Sequence, residues 1–152
     1  MILFVGFGWA KPVPVNPINF NNPRIDSIKV AAAGPLSNLI LAFLGGLIIR
    51  SIHIIPLIEN AIFVQIIYYF VYINVMLAIF NLIPIAPLDG SQIFGNIISK
   101  TNPELAWKLQ IYGPKVLIAI ILIGILTNFS ILSIIMLPFI NFFMYLFTGI
   151  NF

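Results

Sequence analysis

Cysteine is absent, histidine occurs once, and only 7% of the residues are charged. Without cysteine there is no disulfide framework and no thiolate to act as nucleophile or metal ligand, and the redox compartment stays open. The shortage of charge is as restrictive. A soluble domain carries about 25% charged residues, whereas this chain is 61% hydrophobic with a mean hydropathy of +1.13. That composition belongs to an integral membrane protein. The net charge of +3 comes from dispersed lysines and arginines, with no basic cluster interleaved with aromatics, so nucleic-acid binding is not expected.

What is abundant is uninterrupted apolar sequence. A spanning helix needs about 20 such residues, and the charge-free runs predict spans near 31–50, 60–83 and 116–137. A fourth run, about 131–148, reads as a separate short span, a re-entrant segment or an interfacial helix, because Asn128, Ser130 and Pro138 interrupt it. The expected fold class is an all-α integral membrane protein of three to four transmembrane helices, forming one membrane-embedded domain over 1–152. Lys11, Arg24 and Lys29 precede the first span, and Lys100, Lys108 and Lys115 lie between the second and third. Two spans separate these groups, so they share one side, which the positive-inside rule makes cytoplasmic.

The segment "WAKPVPVNPINFNNPR" has prolines at 12, 14, 17 and 23. Proline lacks the backbone donor and biases its predecessor toward extended geometry, so a Pro-rich extended segment is expected near the N-terminus. Asp26 is positioned to cap the helix that follows. In that helix Gly34, Asn38, Ala42 and Gly46 recur every four residues, a spacing that lets helix backbones approach closely in lipid. Asn74 and Asn81, seven apart, share a face of the next span, where hydrogen bonding between helices is the plain reading. Pro84 and Pro87 then break the helix just before Asp89. In "TNPELAWKLQ", Asn102 or Thr101 as N-cap, Pro103 and Glu104 predict the start of a cytoplasmic surface helix.

Asp89 admits two readings. "DGSQ" fits a capping box, with Asp89 as N-cap and Gln92 three residues on. An ionisable group at membrane depth also reads as functional, and broken helices that place one carboxylate beside an asparagine face favour that second reading.

Taken together, "GWAKPVPVNP", "AAAGPLSN" and "NLIPIAPLDG" resemble the site-2 protease family, intramembrane zinc metalloproteases, and most closely its short bacterial and archaeal members. Gly34 to Asn38 matches the family's G-x-x-x-N motif. Asn81, Pro84, Asp89 and Gly90 match N-x-x-P-x-x-x-x-D-G at every fixed position. The resemblance runs in order over about residues 5 to 115. Each motif alone is weak; three in sequence with the right spans between them are specific. The resemblance implies that Asp89 is the third protein ligand of a catalytic zinc. Asn38 and Asn81 would lie by the metal and the scissile peptide, with Gly34, Pro84 and Gly90 supporting the site. It further implies membrane-embedded substrate helices, a prokaryotic cell membrane, and Asp89 toward the cytoplasmic side. The "KPVPVNP" segment resembles the extended element on which an unwound substrate adds as a strand.

The family's H-E-x-x-H is missing. The single histidine, His53, has no adjacent glutamate and no partner four residues on, and it falls on the membrane side opposite Asp89. A catalytic zinc takes three protein ligands and one open position, so the 152 residues as written are expected to be inactive, the C-terminal portion of a longer protease. Two other readings of the same residues are a non-catalytic membrane scaffold of this fold and a small ion-transport component using Asp89 on a broken helix. Nothing in the sequence specifies an oligomeric state.

Overall fold

A computed structural model describes residues 21–52, 61–127 and 129–150. The extended segment expected before Asn21 and the whole of the His53 region lie outside those residues. Among the described residues the secondary structure is helical, in five elements: α1 (Pro23–Ile52), α2 (Ala61–Leu82), α3 (Asp89–Ile98), α4 (Pro103–Thr127) and α5 (Ile131–Thr148). All except α3 are long and apolar enough to cross a membrane. Large apolar side chains lie exposed along them, with Leu126 at 81%. A helix apolar all round needs an apolar surrounding, and here lipid provides it.

Local chemistry sets the helix ends. Asn22, not Asp26, caps α1: its Oδ1 accepts from Ile25 N at 3.4 Å, while Asp26 Oδ2 accepts from Asn22 N at 3.0 Å and Asp26 Oδ1 meets Lys29 Nζ at 3.2 Å. This is a reciprocal arrangement, in which side chain and backbone satisfy each other's orphan groups. Asn102 caps α4 by accepting from Leu105 N at 2.9 Å, with Pro103 as the first helical residue. Ser130 opens α5, accepting from Ser133 N at 3.2 Å, and Gly149 closes it in the left-handed conformation at φ 78°.

The last two helices are divided differently from the sequence expectation. The surface helix predicted from Pro103 does not stop before the third apolar run; it continues through Pro114 to Thr127. Ala106, Gly113 and Leu117 make a continuous buried stripe along it, so Lys108 and Lys115 occupy its other faces and interrupt nothing. The run predicted as 116–137 instead ends with α4 at Thr127, and 131–148 is a helix of its own with Pro138 inside it, the separate short span that was one reading of that run.

Helix α1 is the central element, packing on α2, α3 and α5, while α4 touches mainly α3 and α5. The core is formed by Ala42 and Ile49 of α1, Val71, Val75 and Ile79 of α2, and Met136, Ile140 and Met144 of α5. Close approach depends on two adjacent glycines. A Cβ at Gly45 would stand 2.7 Å from Val71 Cγ2 of α2, and one at Gly46 would stand 2.7 Å from Phe147 O of α5. At the same end of the bundle Arg50 donates from Nε to Phe147 O and from Nη2 to Leu146 O, both at 2.8 Å. The guanidinium thus satisfies carbonyls that the end of α5 leaves unpaired.

Candidate functional site

Helix α2 ends at Leu82, and Ile83–Leu88 is irregular, held by backbone bonds from Ile85 N to Ile83 O at 2.8 Å and from Leu88 N to Ile85 O at 3.0 Å. The Ala86–Pro87 peptide is cis. The break packs against protein on two sides. Gly90 lies so close to the end of α2 that a Cβ would fall onto the carbonyls of Leu82 and Ile83. Gly113 of α4 lies against the middle of the break, where a Cβ would stand 2.7 Å from Ala86 N. These two glycines let helical backbone seat directly on the segment that leads into Asp89.

Asp89 is the first residue of α3, and its side chain caps nothing. The N-cap is Leu88, without a side-chain bond, and the turn is closed by Ser91, whose N and Oγ both donate to Leu88 O. The capping-box reading of "DGSQ" is therefore corrected: the carboxylate is turned away from the helix end toward α1. There Gly34 leaves space for it, since a Cβ at Gly34 would stand 3.1 Å from Asp89 Oδ2. The two motifs, 55 residues apart in the chain, meet at this point. Asp89 is half-buried, and among the described residues no hydrogen-bond donor or cation engages its carboxylate. Helix α3 is not one of the spanning helices, and at its start burial pushes the Asp89 carboxyl above its ordinary range.

Asn38 lies one turn beyond Gly34 on the same face of α1, about 6 Å further along the axis. Asn81 is in the last turn of α2, directly before the break. Both amides are half-buried, and neither has a hydrogen-bond partner among the described residues. Asn74 behaves differently: it is buried and donates to Phe70 O of its own helix at 2.8 Å, so the interhelical bond expected of it is not made. Pro84 is exposed and lies beside Lys108, Leu109 and Tyr112 of α4.

Two features that sequence reasoning missed shape the site. Gly113 carries no motif, and the seat it gives Ala86 depends on a contact between segments far apart in the chain. Gly34 was expected to support the site as part of the G-x-x-x-N motif, but the direct approach of the Asp89 carboxylate to it was not legible. Among the described residues no group of three His, Cys, Asp or Glu could hold a metal ion, and Asp89 offers a single carboxylate.

The profile of peptidase family M50 matches residues 44–110, which include the break and Asp89. The chain is 40% identical over 117 residues to the protein named "Putative zinc metalloprotease YwhC" of Bacillus subtilis (strain 168), a match covering 74% of this chain and 53% of that protein. The chain thus spans about half the length of that relative. No solved structure matches it. The family profile and the 40% identity over 74% of the chain identify it as a member of peptidase family M50, the site-2 protease family.

Proposed function

We propose that these residues form the carboxylate-bearing part of an intramembrane zinc endopeptidase that cleaves membrane-embedded helices. Asp89 is one protein ligand of the zinc ion, and imidazoles outside these 152 residues supply the others. The observation that carries this reading is the unpartnered Asp89 carboxylate at Gly34. A carboxylate without donors or cations in an apolar bundle is costly, and pairing with a dication reverses the sign of that cost. A zinc ion held there would supply a water whose pKa is lowered to about 7.

The chain's own residues do the positioning. Gly34 and the Gly90 seat fix where the carboxylate stands. Asn38, one turn beyond Gly34 on α1, and Asn81, in the last turn of α2, present uncharged donors and acceptors, and such amides bind the backbone of an unwound substrate without adding charge. The break itself is irregular backbone packed against protein at depth, the setting in which such backbone is tolerated in a membrane. By the distribution of lysines, this end faces the cytoplasm of a prokaryotic cell.

The test uses the protein expressed from its complete genomic reading frame. Metal analysis of the purified protein should find one zinc, lost in Asp89→Asn together with cleavage of a reporter transmembrane helix. Undiminished zinc in that variant would remove Asp89 from the metal site. A zinc-free protein that captures a single-span helix without cutting it would indicate a scaffold, and Asp89-dependent cation flux in vesicles would indicate ion transport.

A further inference from the structure

A slot of about 200 Å³ lies between the break and α4, lined by Pro84, Ile85, Lys108, Leu109, Tyr112, Gly113 and Val116. Its walls are almost wholly apolar, with Lys108 and Tyr112 among the lining residues. Lys108, Tyr112 and Lys115 fall at i, i+4 and i+7 and so share one face of α4. Lys115 Nζ sits 5.9 Å from the centre of the Tyr112 ring. Lys108 is paired with Glu104 at 2.6 Å, but among the described residues Lys115 has no carboxylate partner.

Depth makes that lack of a partner significant. Lys115 lies about 10 Å further along the helix axis than Lys108. From Lys115 only 12 residues remain to the end of α4 at Thr127, about 18 Å of helix against a hydrocarbon thickness of about 30 Å. The Lys115 ammonium therefore starts below the interface. It reaches upward past Tyr112 as a snorkelling side chain does, and it needs an anion.

We propose that this slot holds an anionic phospholipid, with an acyl chain against Pro84, Ile85, Leu109 and Val116 and the phosphate drawn down to the ammonium groups of Lys108 and Lys115. The chemistry is complementary: an apolar slot open to lipid, Lys108 in its wall, and Lys115 beside it on the same helix face. The tail would press on Pro84 and Ile85, five and four residues before Asp89, while Gly113 in the same wall carries Ala86. Occupancy of the slot thereby braces the break that presents the carboxylate. The assignment needs only the fold, so it stands or falls separately from the zinc reading.

The test is native mass spectrometry of the 152-residue chain after reconstitution with phosphatidylglycerol or phosphatidylcholine. Phosphatidylglycerol should remain bound to the wild type and phosphatidylcholine should not. With each lysine near the surface contributing about fivefold, Lys108→Gln with Lys115→Gln should weaken phosphatidylglycerol binding roughly thirtyfold. Arg24→Gln with Lys100→Gln removes the same charge from residues that do not line the slot and should change it little. Val116→Trp fills the slot without altering charge and should also displace the lipid. Equal weakening by both charge pairs would reduce the effect to general surface potential. Phosphatidylglycerol retained by Val116→Trp would place the lipid elsewhere. Either result overturns the proposal.

Discussion

Gly34 and Asp89 touch across two helices: there is room for the Asp89 carboxylate because position 34 has no side chain, and an added Cβ would stand 3.1 Å from Oδ2. The atom that must give way is the end of a side chain rather than backbone. Gly34→Ala should therefore leave the fold intact, and the better helix propensity of alanine should hold or raise the melting temperature, since glycine costs up to about 1 kcal/mol in a helix interior. Zinc affinity of the protein made from its complete reading frame should nevertheless fall about 10- to 100-fold, the range for disturbing a residue that orients a ligand. Thermal unfolding and metal titration on one preparation separate the two effects. A lowered melting temperature with unchanged zinc affinity would contradict this account.

Gly90 should behave in the opposite way. A Cβ there meets the carbonyls of Leu82 and Ile83, which are backbone and cannot rotate aside, so Gly90→Ala should destabilise by about 1 to 3 kcal/mol. At Gly95, in the same short helix, an added Cβ would meet nothing within 4 Å. Gly95→Ala should be neutral or stabilising by up to about 1 kcal/mol. Denaturation of the two variants in detergent gives the comparison, and similar losses at both positions would refute it.

Arg50 ties the end of α5 to α1 through two carbonyls. Because the guanidinium is exposed, the clamp contributes only about 1 to 2 kcal/mol. Arg50→Lys keeps the charge but loses the two-pronged geometry, so it should recover less than half of what Arg50→Met loses. Amide exchange in the last turn of α5 should quicken in both variants while exchange in α3 is unchanged. Faster exchange throughout the bundle would show a general role instead.

Gly113→Ala should displace Ala86 and loosen the break without touching any metal-site side chain. The expected cost is about 1 to 3 kcal/mol of stability. Proteolysis near Pro84–Pro87 in detergent reports it, and unchanged cleavage there would argue that α4 does not support the break.

Much of this was legible because membrane insertion writes itself into composition. Charge-free runs located the first two spans, and Pro84 with Pro87 located the break, since proline forbids the helical bond wherever it stands. Asp89 shows where local reading stops. "DGSQ" satisfies the pattern of a helix cap, yet the carboxylate turns to α1, because a vacancy at Gly34 competes with the helix end and only tertiary packing creates that vacancy. The bounds of α4 were misplaced for a related reason. Lysines at 108 and 115 look like an interruption along a line of sequence, whereas on a helix they leave the Ala106, Gly113 and Leu117 face continuous. Arg50 and Phe147 are 97 residues apart, and no periodicity connects them.

The neighbouring glycines at 45 and 46 have a consequence for how the bundle can adjust. Successive helical positions point about 100° apart, so one glycine serves α2 and the other serves α5 without sharing a contact surface. The seam with α2, which leads to the break, and the seam with α5, which ends at the Arg50 clamp, are therefore set by different positions of α1, yet α2 and α5 also pack on each other. A change of bilayer thickness taken up by α5 is thus passed to the helix that ends in the break.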